Sequence, residues 1–169
     1  KESQVVLDIL RDVAEQGTRA VQRYTAKFDS VNLTEKQMRI TAAELRAAHR
    51  SIDRALLRSI QKAIDNVRRY QSEIFVGNCP SLRRHRGLKI TPIRRVGICV
   101  PGASAPLPST VIMTAVPAQV AGVEEIAVVS PPRYQPARGL KTIHPVILAV
   151  CQELKIGEVY RIGGAQAIA

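Results

Sequence analysis

Two stretches combine residue types with a spacing that could do chemistry. The first is Val96–Gly122, where a short apolar run (Val96, Ile98, Cys99, Val100) stops at Pro101-Gly102. Small residues and prolines follow, and an apolar helical pattern opens at Ser109-Thr110. Strand, tight turn and helix start, in that order, gather backbone N–H groups and the positive end of a helix dipole, which suits an anion or a dinucleotide. The G-x-G-x-x-G fingerprint and the Walker loop are both absent. The turn is therefore either a nucleotide site or a plain tight loop with Ser109 or Thr110 as helix cap. The second stretch is Gly163-Gly164-Ala165-Gln166 at the carboxyl end of a predicted strand. That edge is where open α/β sheets bind ligands. Its glycines let a ligand approach the backbone and Gln166 offers an amide; the plainer alternative is a turn with a solvent-facing glutamine.

The other chemically suggestive residues form no constellation. His49, His85 and His144 stand apart without metal-ligand spacing, which makes them surface or capping residues. Cys79, Cys99 and Cys151 are odd in number and widely spaced, which fits a reducing cytoplasm better than a disulfide framework. Leu82-Arg83-Arg84-His85-Arg86 could touch nucleic acid, but no aromatic residue interleaves it and no recognised module surrounds it, so a solvated basic cluster is expected and no nucleic-acid partner.

Charge and periodicity say which elements must position these groups. Residues 96–169 carry five Lys/Arg and four Asp/Glu of the chain's 25 and 14, leaving 20 and 10 in residues 1–95. The excess thus divides as +10 in the first part and +1 in the second: a basic helical region, then a nearly neutral, apolar one of the kind a buried parallel sheet requires. No apolar run approaches the roughly 18 residues of a membrane span, so no membrane partner is expected.

Val5, Val6, Ile9, Leu10 and Val13 repeat helically up to Gly17, after which Thr18 can cap a second helix bearing Val21, Tyr24 and Phe28. Asn32–Arg39 reads as an exposed connector. Thr41 and Glu44 have capping-box spacing, and from Ala42 a stripe through Ile52, Leu56, Ile60, Ile64 and Val67 predicts helix to about Glu73, with Arg50, Arg54, Arg58, Lys62, Arg68 and Arg69 on the solvated face. Residues 77–95 read as a basic connecting loop. Then strands at 96–100, 125–130 and 158–162 alternate with helices at about 109–121, carrying Pro117 as a possible kink, and about 145–155. Right-handed crossovers join such strands into a parallel sheet. Ile168-Ala169 begins a helix that the sequence does not complete, so the βαβαβ unit reads as truncated.

Taken together, these residues resemble the amino-terminal part of the histidinol dehydrogenase family. The resemblance rests on Val96–Gly122, above all Ser104–Ala118 (SAPLPSTVIMTAVPA), and on Gly163–Ala169. Tyr24–Asp29, Ser130-Pro131-Pro132 and Pro145–Ala149 add support. The 104–118 block is closer to true histidinol dehydrogenases than to the related sulfonate-diol dehydrogenases.

The resemblance implies a zinc-dependent, cytoplasmic homodimer that oxidises L-histidinol through L-histidinal to L-histidine with two NAD, the last steps of histidine biosynthesis. It implies an α/β fold: a helical region (1–76), the connecting loop (77–95) and an incomplete Rossmann-like NAD-binding domain (96–169). Gln166 falls on the family's NAD-contacting glutamine, Cys99 on its NAD-contacting tyrosine, and Ser109 on a loop facing the cleft. Three positions depart from the pattern: Cys99 for tyrosine, Ala103 for the second glycine of P-G-G, and Thr18 for aspartate. The family's zinc ligands and glutamate–histidine acid/base pair fall beyond residue 169, so no catalytic or metal residue is assigned within this sequence and the piece alone is expected to be inactive. The alternative is a non-catalytic relative that keeps a nucleotide or partner site.

Overall fold

A computed structural model describes residues 2–79, 89–102 and 105–169. The basic cluster at 83–86 and the departure at Ala103 lie outside the described residues.

Helix α1 (Glu2–Gln16) and helix α2 (Thr18–Asp29) form a hairpin with one residue between them. That residue, Gly17, has φ +55° and occupies the cap position, so Thr18 is the first residue of α2 rather than its cap. Ile9, Ala20 and Tyr24 fill the hairpin, and the Tyr24 hydroxyl donates to Asp12 Oδ2.

The connector expected to be exposed is not simply so. Val31, Leu33 and Met38 are buried together, and a short helix α3 (Glu35–Met38) forms inside it behind a Thr34–Gln37 capping box. The segment then lies antiparallel beside the last sheet strand: Ile40 N–H donates to Val159 O and Arg161 N–H to Met38 O, each at 2.8 Å. Two apolar residues, Met38 and Ile40, are too short a run for alternation to register as a strand.

Helix α4 (Ala42–Ser51) starts as the capping box requires: Glu44 N–H donates to Thr41 Oγ1 at 3.2 Å and Thr41 N–H to Glu44 Oε2 at 2.8 Å. It does not run on to Glu73. Asp53 accepts from the N–H groups of Ala55 and Leu56 at 2.8 and 3.1 Å, which caps a separate helix α5 (Arg54–Ile74). Leu45 and Ala48 of α4 and Ile60 and Ile64 of α5 are buried in one core, whereas Leu56 of the predicted stripe is exposed. Arg68 is half-buried rather than fully solvated, and its Nη2 donates to Gln119 Oε1 at 2.8 Å.

Strands β1 (Arg95–Cys99), β2 (Glu125–Val129) and β3 (Glu158–Tyr160) form a parallel sheet in the order β1-β2-β3, with Cys99 opposite Val129 and Val129 opposite Tyr160. The crossovers are α6 (Pro108–Val120), which runs through Pro117 without interruption, and α7 (Pro145–Glu153); α8 (Ala165–Ile168) follows β3. Leu107 and Pro108 begin α6, so neither Ser109 nor Thr110 caps it. Helix α6 packs on β1 and β2, α5 on α6, and α4 on α7. One core therefore joins Leu45 and Ile60 of the helical region to Val100, Val111, Val128 and Ile147. His49 Nε2 meets Glu153 Oε1 at 2.5 Å across the α4–α7 contact, so this histidine is an inter-helix pair rather than a surface residue. At the amino ends of the strands Arg95 bridges Glu125 and Glu158, pinning the register at the end away from the glycine and proline turns.

Candidate functional site

The three strands end side by side in turns of small residues. β1 runs into Val100-Pro101-Gly102, β2 into Ser130-Pro131-Pro132, and β3 into Gly163-Gly164. These turns touch at backbone distance. A Cβ on Gly163 would fall 2.8 Å from Pro131 Cβ, and one on Gly102 would fall 3.0 Å from Ser130 Oγ. Gly164 has φ +67°, a conformation that L-residues with side chains rarely adopt, and it reverses the chain into α8.

The reversal has a topological result. Helix α8 leaves β3 yet packs against β1, at the other edge of the sheet, with α1 and α2 beside it. The described strands keep the order β1-β2-β3 without a reversal, and the glycine turns and the start of α8 lie beyond their carboxyl ends, the edge at which open α/β sheets bind ligands. The two residues singled out in the sequence sit on these elements: Cys99 ends β1, and Gln166 is the second residue of α8.

Their environments differ. Cys99 is exposed, with partial desolvation pushing its thiol above the usual range, so it stays protonated at neutral pH. Gln166 does not face solvent. It is 3% exposed, and its Oε1 is buried with no hydrogen-bond partner. Ser109 lies exposed in the first turn of α6.

Ser130, named from the sequence only within the supporting Ser130-Pro131-Pro132 motif, was not singled out as a site residue. Ser130 is fully buried and its hydroxyl has no partner; a lone polar residue closing an apolar strand was the available signal. It lines a cavity of about 150 Å³ with Gly102, Tyr134 and His144. His144 is a cap, as expected, accepting at Nδ1 from Val146 N–H at 3.3 Å, and Tyr134 meets its ring edge-on at 5.1 Å. Burial holds the His144 pKa below its ordinary value. The loop beyond is fastened by Arg133, which donates to Asp29 Oδ1 at 2.7 Å and to Phe28 O at 2.8 Å. Chemically this edge presents backbone, amide and hydroxyl groups, with the Arg133 cation already paired to Asp29. Among the described residues no three His, Cys, Asp or Glu side chains stand together as a metal site.

A three-stranded parallel sheet with helical crossovers and a glycine-lined carboxyl edge is the architecture of nucleotide-binding α/β proteins. The sequence profile of histidinol dehydrogenase matches residues 1–169. The chain is 47% identical over 170 residues to the histidinol dehydrogenase of Rhodopirellula baltica, covering 98% of this chain and 36% of that protein. It is 41% identical over 169 residues to the one from Oceanobacillus iheyensis, covering 98% and 38%. The crystal structure of histidinol dehydrogenase from Elizabethkingia anophelis superposes with a TM-score of 0.81 at 30% identity, over 99% of this chain and 38% of that one. The chain belongs to the histidinol dehydrogenase family and spans little more than a third of the length of these relatives. No helix among the described residues is long and apolar enough to cross a membrane.

Proposed function

We propose that the protein carrying this chain oxidises L-histidinol to L-histidine with NAD, and that residues 96–169 build one wall of its cofactor crevice. The observation that carries this reading is the family match along the whole chain. The glycine-lined carboxyl edge of the sheet supports this reading. It presents glycines that let the turns after the three strands nest against one another, and two buried polar atoms, Ser130 Oγ and Gln166 Oε1, with no partner inside the protein. Bound there, NAD would supply the hydride acceptor.

This chain's share of the work is binding and orientation. Gly163 and Gly164 let the backbone approach the cofactor, the Gln166 amide gives it a fixed hydrogen-bonding partner, and Cys99 borders it at the end of β1. Pro131 and Pro132 keep the turn after β2 rigid. The described residues offer no zinc ligand set. In this reading the metal and the acid/base groups come from the rest of the protein, which works as a cytoplasmic homodimer, and this piece alone does not turn over histidinol.

The test is histidinol-dependent NADH formation by the whole protein, with Gln166→Ala beside it. Turnover that falls in the variant through weaker NAD binding is the expected result. NAD binding without turnover on histidinol would make the protein a non-catalytic relative, and absence of both would overturn the reading.

A further inference from the structure

The sheet edge opposite β1 holds a second cavity, of about 420 Å³, between α3, the start of α4 and the loop after β2. Four cationic side chains line it, Lys36, Arg39, Arg138 and Arg161, against the one carboxylate of Glu44. Lys36, Arg39 and Arg138 are exposed, and none pairs with a carboxylate among the described residues. Arg161 is different. It is 6% exposed, and its Nη2 donates to Glu44 Oε1 at 2.5 Å while its Nε has no partner.

A buried guanidinium with a free N–H is rare, because an unmet donor loses its hydration without compensation. A second orphan lines the same cavity: the buried hydroxyl of Thr142 also lacks a partner. Glu44 cannot serve these groups further, since its other oxygen already accepts from the Thr41 N–H and hydroxyl at 2.8 and 2.9 Å. The cavity is a formed feature rather than a gap between wandering loops. Its outer wall is closed by the Tyr134–Thr142 bridge, with paired N–H···O bonds of 2.9 and 2.8 Å, and its floor by the 38–40 segment laid against β3.

Excess positive charge, two unpartnered buried polar atoms and room for a small metabolite suit an acceptor with more than one oxygen. We infer that this cavity is a second binding site, for a small molecule bearing a carboxylate or phosphate, held by Arg161 with Arg39 and Arg138 and separate from the crevice at β1. The oxyanion accepts from the Arg161 fork and the Thr142 hydroxyl, and the outer arginines screen its remaining charge.

The experiment is calorimetric titration of the whole protein at fixed ionic strength with inorganic phosphate and, in a separate arm, with succinate. Each is repeated in saturating NAD. The variants are the exposed pair Arg39→Gln/Arg138→Gln, which leaves the packed residues untouched, and Arg161→Gln. The expected result is saturable binding at about one equivalent per chain, unaffected by NAD and weakened about tenfold or more in both variants, as loss of a charge-assisted hydrogen bond dictates. Binding of phosphate alone supports the site and makes its ligand a phosphate; binding of succinate alone supports it and makes the ligand a carboxylate. Absence of saturable binding in both arms, binding unchanged in the variants, or displacement by NAD would each overturn the inference. The phosphate and succinate arms without NAD stand whether or not the protein uses NAD.

Discussion

Protonation of His144 should loosen helix α7. Its Nδ1 accepts the Val146 N–H at the first turn, which requires a lone pair on that nitrogen, and Pro145 beside it has no N–H to offer in exchange. Burial holds the folded-state pKa below the ordinary 6.5. The unfolded chain therefore takes up the proton first as pH falls. The neutral cap contributes its full stability above about 6.5, and the contribution declines as pH drops from there through the folded pKa. Losing an N-cap costs about 1 kcal/mol. The edge-on contact with Tyr134, at an interplanar angle of 75°, adds about 0.5–1.5 kcal/mol. His144→Ala should thus cost about 2 kcal/mol at neutral pH, and His144→Asn, which restores the cap without the ring contact, about half of that. Urea unfolding followed by circular dichroism at several pH values between about 5.5 and 7.5 measures both effects. The parent should lose stability relative to His144→Asn on acidification. Equal pH slopes for the two would refute the cap as the titrating element.

Four other substitutions have defined outcomes. Gly163→Ala places a Cβ 2.8 Å from Pro131 Cβ and 3.1 Å from its Cα, a clash with a rigid ring; it should destabilise by about 1–3 kcal/mol, and an unchanged urea midpoint would show that the turns can separate. Arg133→Met leaves Asp29, 4% exposed, without its cation; because the arginine is itself 42% exposed, the cost should be about 2 kcal/mol, below that of a fully buried pair, and adding Asp29→Asn should recover part of it in a double-mutant cycle. In the whole protein, Gln166→Ala should weaken NAD binding by roughly 0.5–1.5 kcal/mol through one lost hydrogen bond. Cys99→Tyr should tighten it by roughly the same amount if an aromatic ring packs on the cofactor. Calorimetry showing neither change would place the crevice elsewhere.

The βαβαβ rhythm was legible because its punctuation is local. Pro101-Gly102, Gly122, Pro131-Pro132 and Gly163-Gly164 end apolar runs that can only be buried strands or covered helices, and the observed boundaries fall within about two residues of those expected. The Thr41–Glu44 box was legible for the same reason. What escaped depends on partners far along the chain. Nothing near Arg68 or His49 announces Gln119 or Glu153. The 38–40 segment becomes a sheet edge only because β3 is there to receive it. The division of α4 from α5 was missed although its signal, Asp53 ahead of Ala55 and Leu56, is local; an uninterrupted apolar stripe hid the cap. At the carboxyl edge the motif gave the position of Gln166, while its burial and that of Ser130 follow from how the turns after β2 and β3 nest together.

The lock between Ile40 and Val159 bears on how the polypeptide is born. The ribosome releases the amino-terminal partner of that lock 119 residues before the other, since Ile40 N–H bonds Val159 O. At about 5–20 residues per second, residues 38–40 wait roughly 6–24 s for the strand they join. Through that interval the apolar residues Val31, Leu33, Met38 and Ile40, all buried in the finished molecule, lack β3 and the Ile162 that follows it. Protection of this segment from proteolysis should therefore appear late on a nascent chain, only once β3 has emerged.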